Sequence, residues 1–146
     1  KNKDDVFSHF IQRELMVTQQ ELNQAVSNST SPKEKIVNYI RTRYKAILEY
    51  KEKYPVLRTE YFHFYPLLDR IREGLTNYEI TIITDILEEG VKKNMFRVDD
   101  VKATAKMVVT ILKGVELPLV LDNENKIKAS EIERFTKIFL KGIEKN

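Results

Sequence analysis

The sequence contains no cysteine, which excludes disulfide bridges and thiolate metal sites and fits a reducing, cytoplasmic setting. Proline and glycine are scarce, four of each in 146 residues, so long stretches run without punctuation and favour helices. Histidine is scarcer still. His9 and His63 leave few nucleophile or ligand sets, and neither a paired-histidine motif nor a phosphate-cradling loop is present. Asp85, Glu88 and Glu89 have near-helical spacing, but no histidine stands where a di-metal carboxylate site needs one. The chain is therefore expected to be no enzyme and to carry no metal or cofactor. Basic residues exceed acidic ones only 25 to 22, a net +3 of interspersed signs, which falls short of the clustered excess a phosphate-binding face requires. No apolar run approaches the roughly 20 residues of a membrane span, and no secretory signal is present.

What the sequence does have is a set of helix starts followed by apolar stripes. Asn2 is placed to cap a first helix whose opening turn carries Asp4 and Asp5, and Phe7, Ile11, Leu15, Leu22 and Val26 share one stripe. Ser31-Pro32-Lys33-Glu34 combines a serine cap, proline at the first helical position and glutamate at the third. Ile36, Ile40, Tyr44 and Ile47 then mark the second helix, which ends before Pro55. From 55 to 74 the pattern turns aromatic, and Pro66 biases Tyr65 away from helical torsions, so two short pieces with a break are expected. Thr76 and Glu79 resemble a further capping box, Asn94 a left-handed terminator, and Asp99 or Asp100 the next cap. Pro118 should end or kink that helix, 122–128 reads as a polar loop, and Ser130 with Glu133 should cap the last helix. The expected helices lie near 3–26, 32–53, 55–73 in two pieces, 77–93, 100–117 and 130–144, in one all-α domain spanning 1–146.

Three stretches then carry a resemblance. Lys1-Asn2-Lys3-Asp4-Asp5-Val6-Phe7 is similar to the junction of TetR-like transcriptional repressors, where the DNA-recognition helix gives way to the regulatory domain, with Lys3 and Val6 in matching places. Ile86-Leu87-Glu88-Glu89-Gly90-Val91-Lys92-Lys93-Asn94-Met95-Phe96-Arg97, followed by Asp99-Asp100 and a helix with Ala103, Ala105 and Gly114, resembles the family's stretch between its seventh and eighth helices. The ending from 135 to 143, with Gly142, is a looser match. Asn94 stands where such proteins commonly have glycine, and asparagine is the next-best residue for that conformation. The resemblance implies a regulatory domain whose helix-turn-helix partner domain would precede residue 1, so operator DNA would be reached only through that domain. Lys3 is the one candidate phosphate contact by position.

The same resemblance implies a homodimer formed through the last two long helices as a four-helix bundle, and a small effector held among the other helices. Val108, Leu112, Val115, Phe135, Ile138 and Phe139 are the seam candidates, from two helices with a heavy apolar load. For the pocket, large apolar bodies with polar tips are the signal. Tyr39 and Arg43 share a helix face, and Tyr61, His63, Tyr65 and Tyr78 lie in or near the aromatic segment. A mainly apolar molecule with one polar or acidic end would lie against Tyr44, Phe62, Ile82, Met107 and Ile111. Tyr39, Arg43, His63 and Tyr78 would hold its polar end, between the 32–53, 77–93 and 100–117 helices. Arg43 or Arg41 is the candidate partner for a carboxylate. The competing expectation is a helical interaction or dimerisation module with a closed interior and no small-molecule ligand.

Overall fold

A computed structural model of the chain describes residues 2–121 and 127–146, the side chains at 56–58, 61, 117 and 121 excepted. Its five helices are α1 (Lys3–Ser27), α2 (Pro32–Lys53), α3 (Val56–Lys92), α4 (Val101–Leu121) and α5 (Ala129–Ile143). The expected all-α class is the observed one, and the first two helices match their expected bounds to within a residue. The side chains of Tyr61 and of 122–126 in the expected loop lie outside the described residues.

The caps explain most of the boundaries. The Asn2 side chain accepts from the amide of Asp5 at 2.8 Å, and the Ser31 hydroxyl accepts from that of Glu34 at 3.1 Å. Glu34 reaches back one residue further than a capping box requires, accepting from the Thr30 amide and hydroxyl at 3.0 and 2.7 Å. Asp100 is the cap of α4, accepting from the Ala103 amide at 3.0 Å. The cap of α5 lies two residues before Ser130, at Lys128. The carboxylate of Glu131, not Glu133, accepts from the Lys128 amide, and Glu133 instead pairs with Arg41 across the α2–α5 contact at 2.6 Å. Pro118 does not end α4, which continues to Leu121 with Leu119 and Val120 fully buried.

The largest departure is α3, one helix of 37 residues where two pieces, a stop at Gly74 and a fresh start at Thr76 were expected. Pro66 lies inside it. A mid-helix proline costs about 3 kcal/mol, whereas burying one large apolar side chain contributes about 1.5–3. Phe64, Leu68, Leu75, Ile83, Ile86 and Leu87 are all buried along the helix, so packing outweighs the lost backbone bond several times over. The stripe looks broken in sequence because Arg72 and Glu79 occupy two of its interior positions. Glu79 caps nothing; it is 2 % exposed in the middle of a helix.

At the other end of α3 the chain turns tightly. Asn94 has φ of 63°, the left-handed geometry expected of it, and the Met95 and Phe96 amides both donate to the Gly90 carbonyl, at 2.8 and 3.0 Å. Phe96 folds under the turn onto Gly90. The C-terminal strand-like stretch is fastened here: the Arg97 amide donates to the Ile143 carbonyl at 2.7 Å and the Lys145 amide to that of Met95 at 2.9 Å.

The core has two parts. The larger joins α2, α3, α4 and α5 around Tyr39, Ile40, Ile83, Leu87, Val108, Leu112 and Leu140. The smaller, at the opposite end of α3, is Ile11, Leu68 and Val120 under an aromatic cover in which Phe7 stacks on Phe64 at 3.9 Å. Gly90 and Gly114 give contrasting predictions. A Cβ on Gly90 would overlap the Phe96 ring, so Gly90→Ala should lose about 1–3 kcal/mol. A Cβ on Gly114 meets no other atom within 4 Å, so Gly114→Ala should gain up to about 1 kcal/mol in urea-unfolding measurements.

Candidate functional site

Charged side chains converge between the two parts of the core. Helix spacing of four places Tyr39 and Arg43 on one face of α2, and spacing of seven places Arg72 and Glu79 on one face of α3. Glu79 Oε1 accepts from the Tyr39 hydroxyl at 2.6 Å and from Arg43 Nε at 2.8 Å. Arg72 forms a second buried ion pair with Glu116 of α4, through the guanidinium Nη1. Burial disfavours the charged form of Arg43, but Glu79, Glu116 and Tyr39 outweigh that effect and leave its pKa raised. Burial, reinforced by Glu79, pushes the Tyr39 phenol well above the ordinary tyrosine value.

Beside this cluster is a cavity of about 160 Å³, lined from α1, α2, α3 and α4. Leu15, Ile47, Leu68 and Leu75 supply apolar surface; Arg43, Tyr50, Arg72 and Glu116 supply the polar part beside the buried cluster, and Glu14, Thr18, Glu21, Glu49 and Lys53 the polar part on the α1 and α2 side. An apolar cavity of roughly this size holds one benzene-sized ring. The Tyr50 hydroxyl is buried and has no hydrogen-bond partner among the described residues. Such a group costs about 1–3 kcal/mol. Burial and then Glu116 push its pKa up as well. A second space of about 430 Å³ lies on the outer side of the same ion pair, bounded by Phe62, Tyr65, Pro66 and Asp69 of α3 and Lys113 and Gly114 of α4.

The candidate pocket residues do not form one lining. Tyr39 and Arg43 meet, but on Glu79, so Arg43 already has its carboxylate within the chain. Arg41, the other candidate for a ligand carboxylate, is likewise engaged by Glu133 at the surface. Tyr44 donates to the Ile127 carbonyl at 3.0 Å, away from the cavity. Phe62 faces the outer space, His63 is exposed with its ring edge-on to Phe64, and Tyr78 borders a shallow depression with Met16 and Gln19 of α1. Ile82 packs on the large core. Met107 and Ile111 are 58 % and 38 % exposed on the outer face of α4 rather than forming a pocket wall. Among the seam candidates, Val108 and Leu112 are buried in the chain's own core. Val115 and Phe139 pack against that core, Phe135 is half-buried beside Phe139, and Ile138 is 65 % exposed. Lys3 lies 3.4 Å from Glu60 and over the Phe64 ring.

Of the residues at this site, Tyr50, Arg72 and Glu116 were not expected from the sequence, and Glu79 was expected only as a helix cap. The available signal was charge at positions where helical periodicity demands an interior residue. Among the described residues no group of three or more acidic or histidine side chains is placed to hold a metal ion, and no helix is long and apolar enough to cross a membrane.

The buried pair gives a direct test. Arg43→Ala strands the Glu79 carboxylate and should lose about 3–5 kcal/mol, whereas Arg43→Met with Glu79→Leu should lose far less or nothing by urea unfolding. The raised tyrosine values have a sign. Their stabilising contribution is complete below the unfolded pKa of about 10 and is lost as pH rises above it. Unfolding free energy should therefore fall above pH about 10. Tyr50→Phe should shallow that fall while leaving neutral-pH stability unchanged or slightly improved.

Comparison with known proteins agrees with this architecture. No curated protein matches the chain. The ketosteroid transcriptional regulator KstR2 of Mycobacterium tuberculosis superposes with a TM-score of 0.71 at 16 % identity, covering 99 % of this chain and 74 % of that one. A transcriptional regulator from Cytophaga hutchinsonii ATCC 33406 gives 0.72 at 21 % identity, covering 99 % and 77 %. Residues 19–145 match the family model described as "QacR-like protein, C-terminal region". With that match spanning most of the sequence, the chain belongs to the TetR family of transcriptional regulators, of which it is a C-terminal domain.

Proposed function

We propose that this chain is the regulatory domain of a ligand-responsive DNA-binding repressor, holding a small, mainly apolar effector whose binding alters operator affinity. The observation that carries this reading is the cavity among α1–α4, where apolar side chains adjoin the buried Tyr50 hydroxyl, which has no partner among the described residues. Apolar surface with a few convergent polar groups is how proteins hold small molecules. The polar end of the effector is not acidic, because each cation at the cavity, Arg43, Arg72 and Lys53, already faces a carboxylate. A further buried anion would have no counter-ion of its own.

Operator DNA is reached through a helix-turn-helix domain preceding α1. Helix α1 borders the cavity through Leu15 and Thr18, so an effector there contacts the element that would lead to the DNA-reading head. Only an effector with different affinities for the DNA-competent and released arrangements shifts their balance. The chain works as a homodimer through α4 and α5, and the outward residues available for that seam are Met107, Ile111 and Ile138.

Two measurements test this. A thermal-shift screen of small neutral aromatic compounds should yield binders whose shift weakens in Tyr50→Phe. A screen with none, or with hits indifferent to this change and to Leu75→Trp, would remove the cavity as the effector site. In light scattering the unmodified chain should be a dimer at micromolar concentration, and Met107→Glu with Ile138→Glu should yield a folded monomer. Leu112→Glu, by contrast, should lose the fold itself in circular dichroism, because Leu112 is 3 % exposed within the chain.

A further inference from the structure

The Arg72–Glu116 pair lines both spaces described above: the inner cavity under α1 and the outer space between α3 and α4. The bond proposed to part the two spaces joins side chain to side chain, Arg72 Nη1 to Glu116 Oε2. Side-chain torsions can open it without moving a helix. The compartments on its two sides differ in character. The inner one has room for about one ring and contains the unsatisfied Tyr50 hydroxyl. The outer one is larger, walled by Phe62, Tyr65 and Pro66, and open above Gly114, where no side chain intrudes.

We infer that the two spaces are halves of one effector site, closed from each other by Arg72–Glu116, and that the site takes a neutral elongated molecule with a ring in each half and a carboxamide-like group between them. The inference rests on the effector-binding reading above and specifies its ligand. The central group follows from the partition. A molecule passing between a buried guanidinium and a buried carboxylate breaks the bond they give each other, and it makes up for that bond by offering an acceptor to the first and a donor to the second. A carbonyl oxygen accepts from Arg72, and an adjacent N–H donates to Glu116. A charged centre satisfies one of the two and repels the other. The inner ring should bear a hydroxyl or similar group for Tyr50, and the outer ring meets the faces of Phe62 and Tyr65.

The test uses 4-hydroxybenzanilide, which has this arrangement, and phenol, which has the inner half only. Both are titrated calorimetrically into the whole chain. Tyr50→Phe should weaken both probes. Gly114→Phe, which fills the outer space from a position with no atom within 4 Å of a new Cβ, should weaken 4-hydroxybenzanilide by ~10-fold or more and leave phenol unchanged. Gly114→Leu serves if the phenylalanine variant does not match the native circular dichroism spectrum. Phenol binding without 4-hydroxybenzanilide binding, or anilide affinity indifferent to both Gly114 variants, overturns the two-compartment site and leaves the effector cavity standing. Failure of both probes overturns the inference together with the cavity reading.

Discussion

One carboxylate oxygen organises the interior. Glu79 Oε1 accepts from both the Tyr39 hydroxyl and Arg43 Nε, in a place where none of the three residues is more than 4 % exposed. Each of these groups is unfavourable there alone, and together they satisfy one another. The spacing of Tyr39 and Arg43 fixes the rotation of α2, and the position of Glu79 fixes the register of α3 against it. An apolar contact tolerates sliding by a fraction of a turn; a shared acceptor at hydrogen-bond distance does not.

The second pair extends the same logic to α4. Arg72 lies seven residues before Glu79 on α3 and meets Glu116, so the two ion pairs together tie three helices over about two turns of α3. The apolar core is consequently divided. Ile83, Leu87 and Val108 lie on one side, and Ile11, Leu68 and Val120 on the other, with the cavity touching both through Ile47 and Leu68. The charged layer that specifies how the helices fit is therefore also the polar wall of the cavity. A helical module with a uniformly apolar interior would lack this coincidence.

This arrangement decides what was legible in the sequence. Caps and one-sided stripes are local, and Asn2, Ser31, Asn94 and Asp100 behave as their chemistry dictates. The continuity of α3 was not local. Its stripe runs through Arg72 and Glu79, whose interior placement depends on partners 44 and 36 residues away in sequence, and a periodicity that counts only apolar residues sees a gap there. Pro66 and Gly74 then fall beside that gap and look like its cause. The site was obscured for a related reason. Tyr39 and Arg43 were recognisable as an interior polar pair, but nothing near them in sequence shows that Glu79 already answers both. For α4 the heavy apolar load was visible while its division was not: Val108 and Leu112 turn inward, and Met107 and Ile111 turn out.

The fastening of the C-terminal stretch has a mechanical meaning. Backbone bonds from Arg97 to Ile143 and from Lys145 to Met95 clamp the end of α5 to the turn that joins α3 and α4. That corner is the fixed end of a long beam. At about 1.5 Å per residue, the 37 residues of α3 reach roughly 55 Å from it. Near the far tip, Phe64 stacks on Phe7, and Lys3 sits over the same ring and beside Glu60, so the start of α1 is carried at the end of the beam. A swing of about 5° at the clamped corner displaces that tip by roughly 5 Å. A change of side-chain packing about halfway along, at Arg72, is thereby geared up into a displacement at the first turn of α1.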